Sequence, residues 1–188
     1  MEIRGKKLEF DEDNHIYHID GEKVDSVTQI LKRLFPSKYS DIPAEVLKRA
    51  SERGTQIHKD IECYCNGFDI GSDEVKDFKF LQKQYKFTPI ETELPIILNF
   101  GGKVFAGRID LILEMNKVYV LADIKTTSTL DKEYLAYQLN LYRLGVMQSY
   151  DYDIKELYGI HLRDGKRKLV KIPIIEEDRL LESIKEVL

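Results

Sequence analysis

The chain has 188 residues, of which 43% are hydrophobic and 33% charged, and its formal net charge is −4. This length predicts a single domain with a sizeable core, and the acidic balance means that any binding of nucleic acid must rely on local basic patches. Cys63 and Cys65 are poorly placed for a disulfide framework, and no second cysteine or histidine pair completes a zinc or iron–sulfur site. No run approaches the roughly 18 apolar residues of a membrane span, so we expect a soluble intracellular protein.

The first 50 residues are predicted to form a small β-meander followed by helices. Hydrophobic and polar residues alternate there around two turn sequences, which is typical of short antiparallel strands. Ser26 is a suitable N-cap for the helix that follows, and Pro36 ends that helix. The predicted elements are strands over 8–10 and 15–19, turns over 11–14 and at Asp20-Gly21, a helix over 26–34 and a looser link over 37–42.

Helical patterns dominate the sequence from Pro43 to residue 85. Pro43 suits a first helical turn, and Gly54 is expected to interrupt this helix, with Thr55 capping a second segment. Apolar residues at helical spacing indicate the buried faces of the second segment and of the helix after it. The predicted helices cover 44–53, 56–64 and 72–85.

The remaining sequence is predicted to form mainly strands. Three of them follow one another through short turns, which favours an antiparallel arrangement. The predicted strands cover 91–100, 103–113, 117–124, 154–162 and 168–174, and the helices cover 132–148 and 176–188. This order predicts an α/β fold with a mixed central β-sheet flanked by helices. We expect one domain over 1–188, with an N-terminal meander and helices (1–50), a core (51–150) and a C-terminal hairpin and helix (151–188).

Three charged residues interrupt the apolar strand pair over 105–125. Side chains two apart on a strand share a face, so Asp123 and Lys125 lie side by side, and an antiparallel hairpin can bring Asp110 next to them. Burying charges is costly unless they are paired or bind a metal. Two carboxylates and an ammonium group suit a divalent cation that holds a phosphodiester. A bare D-x-K is more often a surface ion pair, so this hypothesis depends on the flanking motifs.

Four short motifs occur in a fixed order along the chain. They are E-R-G-T-x-x-H over 52–58, G-R-I-D over 107–110, A-D-I-K over 122–125 and Q-x-x-x-Y over 138–142. Each motif is weak alone, but together they resemble the PD-(D/E)XK nuclease superfamily, in its RecB-like and phage-type exonuclease branch. The mitochondrial genome maintenance exonuclease is one member of that branch. The resemblance implies a restriction-endonuclease-like core over 51–150 and metal-dependent nuclease activity.

The resemblance also implies a role for each matching residue. His58, Asp110 and Asp123 would be ligands of Mg²⁺, with the backbone carbonyl of Ile124 as a further ligand, and the imidazole makes Mn²⁺ an alternative. Lys125 would be the catalytic lysine, which orients or deprotonates a water molecule or stabilises the transition state. On its own, His58 is more often an ordinary, partly buried histidine. The four-cysteine cluster of some relatives is missing, so we expect no iron–sulfur cluster.

Two further pairs of residues have both a functional and an ordinary interpretation. Glu91 and Glu93 are expected to share one strand face, and Glu93 is the candidate metal ligand, although an exposed edge-strand charge explains it equally well. Gln138 and Tyr142 share one helix face. The resemblance places them at the edge of the active site, where they position the scissile strand or the lysine, but both also suit packing on the sheet.

Candidate contacts to DNA lie close to these motifs. A basic group precedes His58 on its helix and suits the phosphate backbone, although a charge run is usually only a solvated face. The two threonines after Lys125 can donate hydrogen bonds to a phosphate or simply open a turn. The candidates are Lys48, Arg49, Arg53, Arg108, Thr126 and Thr127. No aromatic-rich platform for a single strand is evident in the sequence.

The sequence therefore predicts a metal-dependent DNA exonuclease of the phage recombination or repair type. The alternatives are a sequence- or structure-specific endonuclease and a non-catalytic nucleic-acid-binding module with the same fold. The resemblance implies single- or double-stranded DNA ends as the substrate, a recombination or single-strand-binding protein as a partner, and no membrane. It also implies a place in the cytoplasm of a bacterium or of a phage-infected host cell.

Overall fold

The computed structural model describes residues 1–12, 14–36 and 42–188, and in these residues it has an α/β fold. The strands are β1 (Glu2–Ile3), β2 (Lys6–Asp11), β3 (Ile16–Ile19), β4 (Glu22–Ser26), β5 (Thr88–Phe100), β6 (Lys103–Met115), β7 (Val118–Lys125), β8 (Ile154–Arg163) and β9 (Lys166–Ile172). The helices are α1 (Val27–Leu34), α2 (Ala44–Cys65), α3 (Asp73–Tyr85), α4 (Lys132–Ser149) and α5 (Glu177–Ile184). No described helix is both long enough and apolar enough to cross a lipid bilayer.

The strands form one mixed sheet in the order β1-β2-β3-β4-β6-β7-β8-β9, and β5 pairs with β6. The pairs β4–β6 and β7–β8 are parallel, and the other pairs are antiparallel. The predicted mixed sheet is therefore confirmed, and so is the antiparallel run of β5, β6 and β7. The meander joins the main sheet through β4, which pairs with β6 at Phe105 and Ala106.

The central strand β6 has different neighbours along its two edges. One edge pairs with β5 over most of its length. On the other edge β4 pairs at Phe105 and Ala106, and β7 begins to pair only at Leu111. Residues 107–110, which carry the G-R-I-D motif, lie between these two pairings. We call this stretch the opening in the sheet.

Helices cover both faces of the sheet. On one face, buried residues of α1, α4 and α5 pack against the strands, among them Ile30, Leu139 and Leu180. On the other face, α2 and α3 supply buried residues such as Ile61 and Phe78. Full burial of a side chain of this size contributes about 1.5–3 kcal/mol to the free energy of unfolding, so these contacts stabilise the packing of both helical layers on the sheet. A third, smaller cluster lies beneath the meander.

Helix α2 corrects one prediction. It runs without interruption for 22 residues, so Gly54 does not break it and Thr55 does not cap a second helix. A Cβ atom at position 54 would lie 3.3 Å from Oγ1 of Thr126, so the glycine instead allows α2 to approach the residue that follows Lys125. The predicted cap of α1 is confirmed: the Ser26 side chain accepts a hydrogen bond from the Gln29 N–H in a capping box.

The other differences concern the ends of elements. β5 begins at Thr88 and not at Glu91, and α5 ends at Ile184 and not at the last residue. The predicted C-terminal hairpin turns at Asp164-Gly165, and its second strand, β9, begins at Lys166 and not at position 168. The predicted link over 37–42 lies outside the described residues except for Ile42, and the predicted turn over 11–14 includes residue 13, which also lies outside them.

Candidate active site

The β6–β7 hairpin brings the predicted carboxylates together. Leu111 pairs with Ala122, so Asp110 and Asp123 stand opposite one another just beyond the last paired residues. At this end of the ladder, the Ile124 N–H donates to Oδ2 of Asp110 over 2.6 Å. On β7, Nζ of Lys125 lies 2.6 Å from Oδ2 of Asp123. The predicted side-by-side arrangement of the aspartate and the lysine is thus confirmed.

Helix α2 places His58 over the end of the hairpin. Its Nε2 lies 3.1 Å from the Ile124 carbonyl oxygen, and because a carbonyl only accepts, Nε2 carries a hydrogen. Its Nδ1 faces two carboxylates, at 3.5 Å from Oδ1 of Asp110 and 3.8 Å from Oε1 of Glu93. In the charged imidazole both nitrogens carry hydrogens and the Nδ1–H faces these carboxylates, whereas the neutral tautomer selected by the carbonyl leaves the Nδ1 lone pair free to bind a cation.

The two glutamates of β5 contact different elements. The neighbours of Glu93 pair with Leu111 and Ile109, so Glu93 stands opposite Asp110, with its backbone in the left-handed region (φ 49°). A non-glycine residue in this conformation is strained, and such strain concentrates at functional sites. Glu91 instead accepts a hydrogen bond from Tyr152 Oη over 2.7 Å. We predicted that both glutamates share one strand face, but their carboxylates reach different partners, and the left-handed backbone of Glu93 interrupts the regular alternation of the strand between them.

Burial and charge perturb each group of the site. Burial opposes the charge on His58, but Asp110 and Glu93 outweigh it and hold the pKa of His58 well above its usual value. Burial also favours neutral Asp110, yet the neighbouring His58 keeps the pKa of that carboxyl below its ordinary value. For Asp123 burial prevails over the attraction of Lys125, and its pKa rises to about 6. The pKa of Lys125 is raised because the two aspartates outweigh the cost of its burial, so the amine is protonated at neutral pH.

The residues of this site fit a divalent cation. Ligand atoms of His58, Glu93 and Asp110 all lie within 4.8 Å of one another. One imidazole and two carboxylates suit Mg²⁺ or Mn²⁺. Asp123 is not part of this group of described residues, but its buried Oδ2 lacks a hydrogen bond of good geometry in spite of the nearby ammonium group. Such an unsatisfied buried oxygen is a donor that a cation can use.

Helix α4 holds the lysine from the other side. Oε1 of Gln138 accepts a hydrogen bond from Nζ of Lys125 over 2.9 Å. Tyr142 packs against the opening in the sheet, where a Cβ atom at position 107 would lie 2.9 Å from Cε1 of its ring. This contact explains why the G-R-I-D motif starts with glycine. Burial and the nearby Asp123 raise the pKa of Tyr142 well above its usual value, so its hydroxyl stays neutral.

If the nuclease activity that the sequence resemblance implies is present, replacing Gln138 with leucine is expected to lower its kcat by about tenfold, because Lys125 loses one of the two groups that orient it. The matched control is Gln148→Leu on the same helix, where the glutamine hydrogen-bonds only the backbone of Asn99 at the surface. Steady-state kinetics of both variants, with thermal melts to check folding, measure the difference. Equal activity of the two variants would contradict a positioning role for Gln138.

The loop after Lys125 is anchored by residues that the motifs did not indicate. Nε2 of His161 lies 2.6 Å from the carbonyl oxygen of Thr127, and Nη1 of Arg163 donates to the carbonyl of Thr126 over 3.1 Å. Both anchors lie on β8, where His161 pairs with Lys125 in the parallel ladder. No sequence motif indicated either residue, because their contacts join β8 to a loop more than 30 positions earlier in the chain.

The predicted DNA contacts occupy three different settings. Lys48 and Arg49 are exposed on the first half of α2, and Lys48 lies 4.0 Å from Glu52. Arg53 is half-buried and pairs with Glu74 at 2.6 Å, so much of its charge is already compensated. Arg108 lies beside the site, with Nε 3.5 Å from Oε2 of Glu93.

The two threonines after Lys125 also differ from one another. Thr126 is half-buried next to Gly54, whereas Thr127 is exposed and its hydroxyl donates to the carbonyl of Thr129. Whether any of the six candidates contacts DNA stays a prediction.

Comparisons with known proteins agree with this architecture. The model of the family described as the PD-(D/E)XK nuclease superfamily matches residues 69–187, more than half of the chain, including Asp110, Asp123 and Lys125 but not His58. The crystal structure of SSO0001 aligns over 90% of this chain and 77% of that one, with a TM-score of 0.51 and 18% identity, which shows a shared fold. A search of curated proteins finds no significant match. The chain belongs to the PD-(D/E)XK nuclease superfamily, and this membership supports hydrolysis of nucleic acid with a divalent metal ion.

Proposed function

We propose that the protein is a Mg²⁺-dependent DNA exonuclease of the phage recombination or repair type. The observation that carries this proposal is the convergence of His58, Glu93 and Asp110 within 4.8 Å, beside the Lys125–Asp123 pair. A helix and two consecutive strands, α2, β5 and β6, supply these groups, and a folding argument alone does not explain why they meet. DNA ends are the proposed substrate, and a recombination or single-strand-binding protein acting in the same cytoplasm is the proposed partner.

The residues of the site divide the work of hydrolysis. A bound cation supplies a Lewis acid that activates water and neutralises charge on the phosphate. His58, Glu93 and Asp110 would hold it, together with Asp123 and the Ile124 carbonyl. Lys125 is protonated and fixed by Gln138, so it can orient the attacking water and stabilise the charge that develops on the phosphate oxygens. Addition of water across the P–O3′ bond leaves a 5′-phosphate and a 3′-hydroxyl.

The exonuclease assignment is favoured by the order of motifs. The glutamine of Q-x-x-x-Y contacts the catalytic lysine directly, and this motif is typical of the exonuclease branch that the sequence resembles. An exonuclease is therefore a better match than a restriction-type enzyme.

Digestion of matched DNA substrates tests this proposal. We expect Mg²⁺-dependent release of nucleotides from end-labelled linear DNA, no cutting of closed circular DNA of the same sequence, and no activity in EDTA. Cleavage of the closed circle would show an endonuclease instead. Binding without cleavage, in either Mg²⁺ or Mn²⁺, would indicate a non-catalytic module.

The two glutamates of β5 provide a direct test of the metal ligands. Glu93→Gln is expected to weaken Mn²⁺ binding by at least about tenfold, because it removes one carboxylate from the site. Glu91→Gln is the matched control. Glu91 lies two residues from Glu93 on the same strand, but its carboxylate hydrogen-bonds Tyr152 and not the proposed site. Isothermal titration of each variant with Mn²⁺ gives the affinities. If both variants bind as tightly as the unmodified protein, Glu93 is not a ligand.

A further inference from the structure

We propose that the β2–β3 hairpin forms a stacking site for an unpaired nucleobase next to the cleavage site, so that the substrate is a single strand or a frayed end. This inference rests on the proposed function, because it concerns the substrate of the same site. It is carried by three aromatic residues of the hairpin, Phe10, His15 and Tyr17, and by Arg108, which connects them to the carboxylates.

The aromatic side chains form a stack. The rings of Phe10 and His15 are nearly parallel, with an interplanar angle of 9° and centroids 5.9 Å apart. Phe10 also packs on Tyr17, with centroids 4.5 Å apart and the ring planes tilted by 31°. Tyr17 is buried, Phe10 is half-buried and His15 is exposed, so the stack runs from the core of the meander to its surface. A nucleobase added to the exposed end would continue it, and stacking of this kind is tolerant of sequence because every base has a π-face.

Arg108 connects this stack to the proposed metal site. Its guanidinium carbon lies 5.0 Å from the centroid of the Phe10 ring, and its Nε lies 3.5 Å from Oε2 of Glu93. Burial raises the pKa of the Tyr17 phenol, although the nearby Arg108 opposes this rise. Arg108 thus contacts the aromatic stack on one side and a candidate metal ligand on the other. Next to the proposed cleavage site, the Arg108 guanidinium can therefore bind a phosphate, and the aromatic rings beside it can bind the adjoining base.

Packing of the meander does not require His15 in this position. The buried core beneath the meander contains Leu8, Tyr17 and Ile19, among others, and His15 is not part of it. Its backbone adopts the left-handed conformation (φ 53°) while its ring stays parallel to Phe10. An exposed imidazole adds little to the hydrophobic stability of the hairpin, whereas a planar ring at the mouth of the site can bind a base.

Base pairing limits which substrates can use this stack. A base inside a duplex has both faces covered by its neighbours, so it must leave the helix before it stacks on a protein ring. A single strand or a frayed end offers such a base at low cost. The hairpin therefore favours substrates whose terminal bases are unpaired.

Binding of modified oligonucleotides tests the stack without requiring cleavage. A fluorescein-labelled single-stranded oligonucleotide is titrated in EDTA, and an abasic nucleotide is moved through its sequence one position at a time. For the unmodified protein we expect one position at which loss of the base weakens binding by about tenfold. His15→Ala and Phe10→Leu should bind the intact strand about tenfold more weakly and should show no further loss with the abasic strand.

His18→Ala is the matched control, because His18 follows Tyr17 on β3 and therefore points to the opposite face of the hairpin. It should keep the full abasic penalty. Thermal melts report folding, and His15 is exposed, so its replacement tests the stack even if Phe10→Leu destabilises the hairpin. An equal abasic penalty in the unmodified protein and in His15→Ala, or no penalty at any position, would overturn the proposal. If the penalty depends on His15 but no DNA is cleaved in Mg²⁺, the stacking site stands and the proposed function fails.

Discussion

Lys125→Met is expected to lower the rate of DNA cleavage by about 10²–10⁴-fold, because it removes the positive charge that we propose to orient water and stabilise the transition state. Methionine has a similar length, so the packing of the side-chain stem is retained. Asp123 loses its cationic partner, at an expected cost of about 1–3 kcal/mol in the free energy of unfolding. Single-turnover cleavage of end-labelled DNA measures the first effect, and urea denaturation measures the second.

The matched control for this lysine is Lys171→Met. Lys171 also lies on a strand and pairs with a carboxylate, Glu156, at 2.6 Å, but this ion pair is exposed on the outer strand β9. Its loss is expected to leave cleavage unchanged. Should Lys125→Met cleave DNA as fast as Lys171→Met, Lys125 has no part in the chemistry.

Asp110→Asn is expected to abolish the stabilisation of the protein by metal. A ligand at about 100 times its Kd stabilises a folded protein by about 2.7 kcal/mol, which raises the Tm of a chain of this length by roughly 5–10 °C. Asparagine keeps an oxygen that can accept the Ile124 N–H, so the variant should still fold, with a metal-free Tm lowered by the loss of the Asp110–His58 ion pair. Its cleavage rate should fall more than about 100-fold with the loss of the metal. Thermal melts with increasing Mn²⁺, together with single-turnover cleavage, check both results.

The control for this substitution removes a carboxylate from an exposed ion pair. Asp25 lies 2.7 Å from Arg33 at the surface, and an exposed pair of this kind contributes at most about 1 kcal/mol. Asp25→Asn should therefore keep the full rise of Tm with Mn²⁺. A normal metal-dependent rise in Asp110→Asn would show that Asp110 is not a ligand.

Local patterns in the sequence predicted much of the fold. The β6–β7 hairpin followed from two apolar runs joined by a polar turn, and its antiparallel pairing brought Asp110 opposite Asp123 as expected. Ser26 was recognised as a helix cap because the serine side chain satisfies a backbone N–H at that position. These features depend on residues close in sequence, for which the chemistry of turns and caps is decisive.

The sequence did not reveal why two glycines are needed, because each one makes room for a residue that is distant in the chain. Gly54 was predicted to break a helix, yet it lies within continuous α2 because Thr126, 72 residues later, needs the space. Gly107 was recognised only as part of a motif, and its reason is the ring of Tyr142. No local pattern contains such information, because the contact exists only after the sheet and the helices have assembled.

The candidate site shows the same division between local and long-range information. Alternation along a strand predicted that the side chains of Asp123 and Lys125 are neighbours. It did not predict that Glu93 and Glu91 have different partners, because the left-handed backbone of Glu93 cannot be anticipated from alternation. The aromatic residues of the β2–β3 hairpin were also missed as a group. They are spread over eight positions around a turn. Their contact with Arg108, which places them beside the proposed metal site, forms only because β4 pairs with β6.

The opening in the sheet lies between two sets of strand pairings, with β4 on one side and β7 on the other. Because backbone hydrogen bonds on both sides set its width, the strand segment that carries Asp110 is held in a preorganised frame. Differences in the size or shape of substrates must then be accommodated at the rim, by the meander and by the exposed first half of α2. Substitutions in these two peripheral parts are therefore expected to change substrate preference without moving the candidate metal ligands.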